Sequence, residues 1–184
     1  MSPESNGFEL EMEYVPIDNL YLRGTYNHIR ADFQDYDVPN LEIPGTEQDL
    51  SSALSNRAPT DSWYLSTLYS INFASGVVSF NAVYRFVDDY QTNPLIPIAR
   101  VNNYSTWDLS VDYRWKEWTF RLFSQNVNDK RYLQNVVNLN DGDIVALNPA
   151  ASQGSGLVTY SEYNQPRYTG FEIIYKPDLA RLFH

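Results

Sequence analysis

Phe8-Glu9-Leu10-Glu11-Met12-Glu13-Tyr14 decides how this chain is read: every even position is apolar and every odd position is a glutamate. A period of two sends successive side chains to opposite faces of a strand. One face of this segment is therefore wholly apolar and the other wholly charged. The polar side suits the wall of a wet interior, and the apolar side suits lipid.

Six further segments follow the same rule. The first strand, about Gly7 to Val15, stops at the turn Pro16-Ile17-Asp18-Asn19, and a second, about Leu20 to Ala31, follows at once. A third, about Ser62 to Phe73, sets Trp63, Leu65, Tyr69 and Ile71 against Tyr64, Ser66, Ser70 and Asn72. Ala74-Ser75-Gly76 reads as a tight hairpin turn into a fourth, about Val77 to Val87. The fifth, about Tyr104 to Trp115, turns at Lys116-Glu117 into the sixth, about Trp118 to Asn126, where Phe123 breaks the polar row. The last spans about Arg167 to Lys176.

Between these segments, tight turns alternate strictly with long loops at about 32–61, 88–103 and 128–166. Loops this long count against a compact soluble domain. They are expected of an up-and-down barrel across a bilayer, with short turns on one side and long loops on the other. Strands of nine to twelve residues also match the roughly 9–11 needed to cross a membrane at a tilt. The expected fold is all-β: an antiparallel up-and-down transmembrane β-barrel, of which about seven strands are present. Seven is odd, and lipid does not tolerate open sheet edges, so these strands form an arc that needs others to close it.

Composition agrees. The 15 Tyr, 9 Phe and 4 Trp collect at strand ends. Trp115, Trp118, Phe73 and Tyr14 lie toward the short turns, and Trp63, Tyr84, Phe86, Tyr104 and Trp107 toward the long loops, as in two aromatic belts. Mean hydropathy is −0.45, and no apolar run is long enough for a spanning helix. A net charge of −10 argues against nucleic acid, which needs clustered Lys and Arg. With no Cys there is neither a disulfide nor a thiolate metal site. The opening Met1-Ser2-Pro3-Glu4-Ser5-Asn6 has no basic or apolar leader, which fits a cytoplasmic chain or a piece whose export signal lies elsewhere.

No catalytic, metal or cofactor site emerges. With only His28 and His184, paired-histidine metal sites are excluded, and nothing places a reactive serine beside His28. His28 reads as a surface or interface residue. Glu9, Glu11 and Glu13 read as hydrated lumen, and Arg85, Arg114 and Arg121 as cross-strand partners for Asp108 and Asp112.

The closing third carries a family resemblance. Trp118-Thr119-Phe120-Arg121-Leu122-Phe123-Ser124-Gln125-Asn126-Val127-Asn128-Asp129-Lys130-Arg131-Tyr132 resembles the penultimate strand of TonB-dependent outer-membrane receptors, with its asparagine-apolar-x-aspartate-lysine-x-tyrosine ending. Gln165-Pro166-Arg167-Tyr168-Thr169-Gly170-Phe171-Glu172-Ile173-Ile174-Tyr175-Lys176 is similar to the last strand of that family. Gly7 to Glu11 followed by Pro16-x-Asp18-Asn19-Leu20 is similar to one of its hairpins. The resemblance implies that residues 1–184 are the last strands of a 22-stranded barrel, without the plug domain. It also implies a Gram-negative outer-membrane location and uptake of a scarce nutrient such as an iron chelate. Implied partners are membrane lipid, the remaining strands and plug, the TonB energy-coupling complex through that plug, and the small-molecule ligand. Pro177 and the tail that follows depart from the family pattern of ending close to the last strand.

Tyr36, Asp37, Tyr90, Asn93 and Tyr160 are loop side chains open to ligand contact, and no substrate-binding residue is assigned among them. Two other architectures fit the pattern. One is a soluble β-sandwich carbohydrate-binding module that stacks sugars on Tyr and Trp. The other is a small porin-like or adhesin barrel with an eighth strand at Asp141 to Leu147.

Overall fold

In the computed structural model the described residues are 2–34, 37–39, 46–49, 58–92, 100–139 and 158–177. Strands β1 (Ser2–Ile17), β2 (Leu20–Gln34), β5 (Asp61–Phe73), β6 (Gly76–Val87), β9 (Tyr104–Trp115), β10 (Trp118–Gln125) and β13 (Tyr168–Tyr175) form the main sheet. The order is β1-β2-β5-β6-β9-β10-β13, and every neighbouring pair is antiparallel. All seven expected strands are present, and consecutive ones are neighbours, as in an up-and-down meander. The sheet is open, with β1 and β13 at its edges.

Two expectations change. Pairing of β1 with β2 runs on from Gly7↔Ile29 to Ser2↔Gln34, so this hairpin is longer than its apolar alternation. Backbone pairing needs no side-chain pattern, which is why the extension leaves no periodic trace. The long loops also hold ladders of their own. β3 (Asp37–Pro39) pairs with β4 (Glu47–Asp49), β7 (Tyr90–Gln91) with β8 (Arg100–Val101), and β11 (Leu133–Leu139) with β12 (Val158–Tyr163). The eighth-strand candidate at Asp141 to Leu147 lies outside the described residues.

Register puts most of the large apolar residues on one face. Leu10, Tyr26, Trp63 and Phe86 are linked by direct pairing across four strands, as are Phe80, Val111, Leu122 and Phe171 farther along the sheet. Nothing covers this face among the described residues. Phe8, Leu10 and Met12 are 58–61% exposed, and Trp63, Phe80, Leu109, Leu122 and Ile173 are exposed as well. Val83 and Val101 are the only buried hydrophobic residues among those described. A sandwich would seal these rows against a second sheet, and here the sheet is a single layer.

The aromatic belts are packed pairs on the apolar face. Trp118 meets Tyr175 at a centroid distance of 4.6 Å near the short turns, and Tyr84 meets Trp107 at 4.8 Å near the long loops. Tyr104 is an exception to the expected belt. It pairs with Val87, which puts it on the polar face, where its ring stacks on Tyr132 at 3.5 Å.

Candidate functional site

The polar face gathers the charges that the strand phases separate from the apolar rows. Asp112 and Arg121 stand opposite each other on β9 and β10, and Glu172 faces Arg121 from β13. The Arg121 guanidinium donates from Nε to Asp112 Oδ1 at 2.7 Å and from Nη2 to Oδ2 at 3.1 Å, while Nη1 reaches Glu172 at 3.4 Å. Arg85 pairs with Asp108 and lies 5.7 Å from the Tyr64 ring centre. Arg23 approaches Glu11 at 3.9 Å. The expected pairing of Arg85 and Arg121 with Asp108 and Asp112 is therefore observed, and Arg114 joins neither pair. These groups are part-exposed, so each pair contributes at most about 1 kcal/mol.

Two hollows open on this face. One of about 540 Å³ is lined by Asn81, Arg85, Asp108, Asp112, Arg121 and Phe123, among others. The other, about 350 Å³ and nearer the long loops, is lined by amides such as Gln125, Asn126, Gln134 and Asn164 with Tyr132. Phe123, the apolar interruption of the polar row, lies over Gly170, where a β-carbon would come within 2.5 Å of its ring.

The asparagine-rich segment after β10 is a hydrogen-bonded knot. Asn126 is buried at φ 50°, in the left-handed region that Asn tolerates better than most residues. Its backbone N–H donates to Asp108 Oδ1 at 2.9 Å. Its side-chain amide donates to the carbonyls of Lys130 at 3.0 Å and Gln165 at 3.1 Å, and its Oδ1 accepts from the Lys130 N–H at 2.9 Å. Asn164 mirrors it, donating to Lys130 O and Gln165 O and accepting from the Tyr132 N–H. Asp129, at φ 48°, accepts from the backbone N–H of Arg167, and Asn128 bonds the backbone of β9 at Ser105 and Trp107. The motif thus ties the end of β10 to β9 and to the entry of β13. Its role here is to hold backbone.

Of the loop residues open to ligand contact, Asp37 is exposed on β3. Tyr90 is half-buried on β7, its hydroxyl donating to Gln134 O at 3.5 Å. Tyr160 is placed only as a backbone position opposite Val137. Tyr36 and Asn93 lie outside the described residues. Asp37, Tyr90 and Tyr160, the three that are described, lie on three different strands.

Sequence reasoning leaves His28 without a partner, and the register supplies one. His28 pairs with Asp61 across β2 and β5, with Nδ1 2.9 Å from Asp61 Oδ1, which also accepts from the Tyr26 hydroxyl at 2.5 Å. Ser62 pairs with Asn27 on the opposite face, so no serine nucleophile stands beside this histidine. Among the described residues no group of three or more His, Asp or Glu is arranged to hold a metal ion.

No protein-family model and no curated protein matches the chain. Solved structures do. The ferric yersiniabactin uptake receptor FyuA of Yersinia pestis superposes with a TM-score of 0.72 at 16% identity, over 94% of this chain and 23% of the receptor. BauA, the ferric preacinetobactin receptor of Acinetobacter baumannii, gives 0.67 at 16% identity, over 94% of this chain and 22% of the receptor. The siderophore receptor PiuA of Acinetobacter baumannii gives 0.63 at 17%, again over 94% and 22%. The chain spans less than a quarter of these receptors. All three are receptors. The chain therefore has an all-β fold similar to part of the barrel wall of outer-membrane siderophore receptors.

Proposed function

We propose that this chain is the carboxy-terminal stretch of wall in a TonB-dependent outer-membrane receptor that takes up a scarce nutrient, an iron chelate being the leading cargo. In this reading lipid covers the apolar rows, further strands pair with β1 and β13, and a plug fills the polar side. The loop ladders β3–β4, β7–β8 and β11–β12 face the outside, and energy reaches the plug through TonB. The chain itself contributes wall and loops and no reacting group.

One observation carries the proposal: a single sheet with an uncovered apolar face and its charges on the other. Each large apolar side chain left in water forgoes roughly 1.5–3 kcal/mol of burial. Over a face this size that is more than a folded domain can forfeit, so the face needs a cover, and lipid supplies one. The opposite phase supplies the wet side, as in other membrane barrels.

Cysteine labelling tests it. In cells expressing the chain within its assembly, Leu109→Cys is expected to react with a lipid-phase maleimide and resist a water-soluble one. Ser110→Cys, its neighbour on the other face, is expected to do the reverse. Equal reaction of both with the water-soluble reagent would overturn the reading.

A further inference from the structure

On the apolar side of the sheet, at the end toward the long loops, sits a polar group that acyl chains cannot satisfy. Phe8, Tyr26, His28, Asp61 and Trp63 share one face by register. Tyr26 and His28 both bond Asp61 Oδ1, so among the described residues the second carboxylate oxygen is left open. The side chains of His28 and Asp61 are about one-third exposed. Around them lies an aromatic platform: Tyr26 stacks on Trp63 at 4.1 Å, and Phe8 lies 5.6 Å from both Tyr26 and His28.

Height places the group at a boundary. His28 is nine residues beyond Asn19 in the turn, and Trp107 is nine residues before Lys116 in another turn. At about 3.3 Å per residue and a tilt near 40°, both stand roughly 23 Å above their turns, close to the top of an apolar band about 25 Å tall. In that reading Asp61, at the start of β5, stands level with the headgroups. Between this group and the opposite belt the apolar face carries no charged residue.

We propose that Tyr26, His28, Asp61 and Trp63 form a docking surface for the saccharide headgroup of an outer-leaflet glycolipid. The chemistry matches the partner. A sugar ring offers C–H faces to aromatic rings and hydroxyls to hydrogen-bonding groups. Here the second Asp61 oxygen accepts from a hydroxyl, Nε2 of His28 bonds a second, and Trp63 supplies the stacking surface. Acyl chains offer none of these partners, and a bare phosphate makes no use of the aromatic platform.

The inference rests on the membrane-wall reading above, and its test separates the two. The assembly is extracted from outer membranes in mild detergent, and glycolipid and phospholipid per protein are counted by native mass spectrometry. Asp61→Asn and His28→Gln, which keep size and shape, are each expected to lower retained glycolipid about threefold or more. Trp118→Leu, at the opposite belt, is expected to leave it unchanged. Heat-modifiable migration identifies folded protein, and Trp63→Leu provides a second probe should either polar variant fail to fold. Folded, membrane-inserted variants that retain wild-type glycolipid would overturn the docking surface while leaving the wall intact. Equal loss with Trp118→Leu would also overturn it, and recovery of the wild type in the soluble fraction would overturn both readings.

Discussion

Asn126 shows how one side chain can hold two distant pieces of backbone. Its amide serves Lys130 twice and Gln165 once, and its own N–H is capped by Asp108. Asn126→Ala removes three hydrogen bonds and puts alanine at φ 50°, a conformation it tolerates poorly. A loss of about 2–4 kcal/mol is expected in urea unfolding of the micelle-bound protein. Asn126→Gly should lose less, because it removes the bonds without the backbone strain. Two glycines offer a sharper contrast. A β-carbon at Gly7 would sit 2.2 Å from the carbonyl oxygen of His28, which is backbone in a paired strand and cannot swing aside. At Gly170 the obstacle is the Phe123 ring, which borders an open hollow. Gly7→Ala is therefore expected to destabilise by about 2 kcal/mol or more and Gly170→Ala by about 1 kcal/mol or less in the same measurement.

At the scale of the element, the phase of each strand is what the sequence makes legible. β9 is the clearest case: its expected and observed bounds are both Tyr104–Trp115. Because adjacent positions lie on opposite faces, which in the wall reading meet different media, Leu109→Arg and Ser110→Arg should differ sharply. The first is expected to cost roughly 2–4 kcal/mol and block membrane assembly. The second is expected to assemble normally, as judged by heat-modifiable migration. The loop ladders are a different matter. β11 reads Leu133-Gln134-Asn135-Val136-Val137-Asn138-Leu139, in which Asn135 and Val136 break the period of two. Its pairing with β12 is set by backbone and by the knot at its base, so no local pattern announces it. The same holds for the polar group on the apolar face. Tyr26 and His28 are visible in the sequence as neighbours in phase, but Asp61 lies more than thirty residues away, and only register joins them.

For the whole molecule, the choice between wall and sandwich turns on layers, which a strand pattern alone does not give. Alternating Phe, Trp and Leu rows are equally good at meeting lipid or a second sheet. The single layer found here, with Leu10 and Phe171 each 61% exposed, favours lipid. The wall reading predicts that the chain made alone in water partitions into the pellet and needs detergent for extraction. A monomeric, detergent-free species in sedimentation would count against it. The ion pairs of the polar face should matter little to this behaviour: Arg121→Gln is expected to cost no more than about 1 kcal/mol, with raised salt masking the difference.

β1 and β13 each present one flank whose N–H and C=O groups meet no strand among the described residues. Two copies meeting at these flanks would zip together, and a third could join the same way, giving ribbons whose length grows with concentration. In the wall reading, production of the chain by itself is thus a race between membrane insertion and self-templating, and early pairing of these two flanks is what decides it.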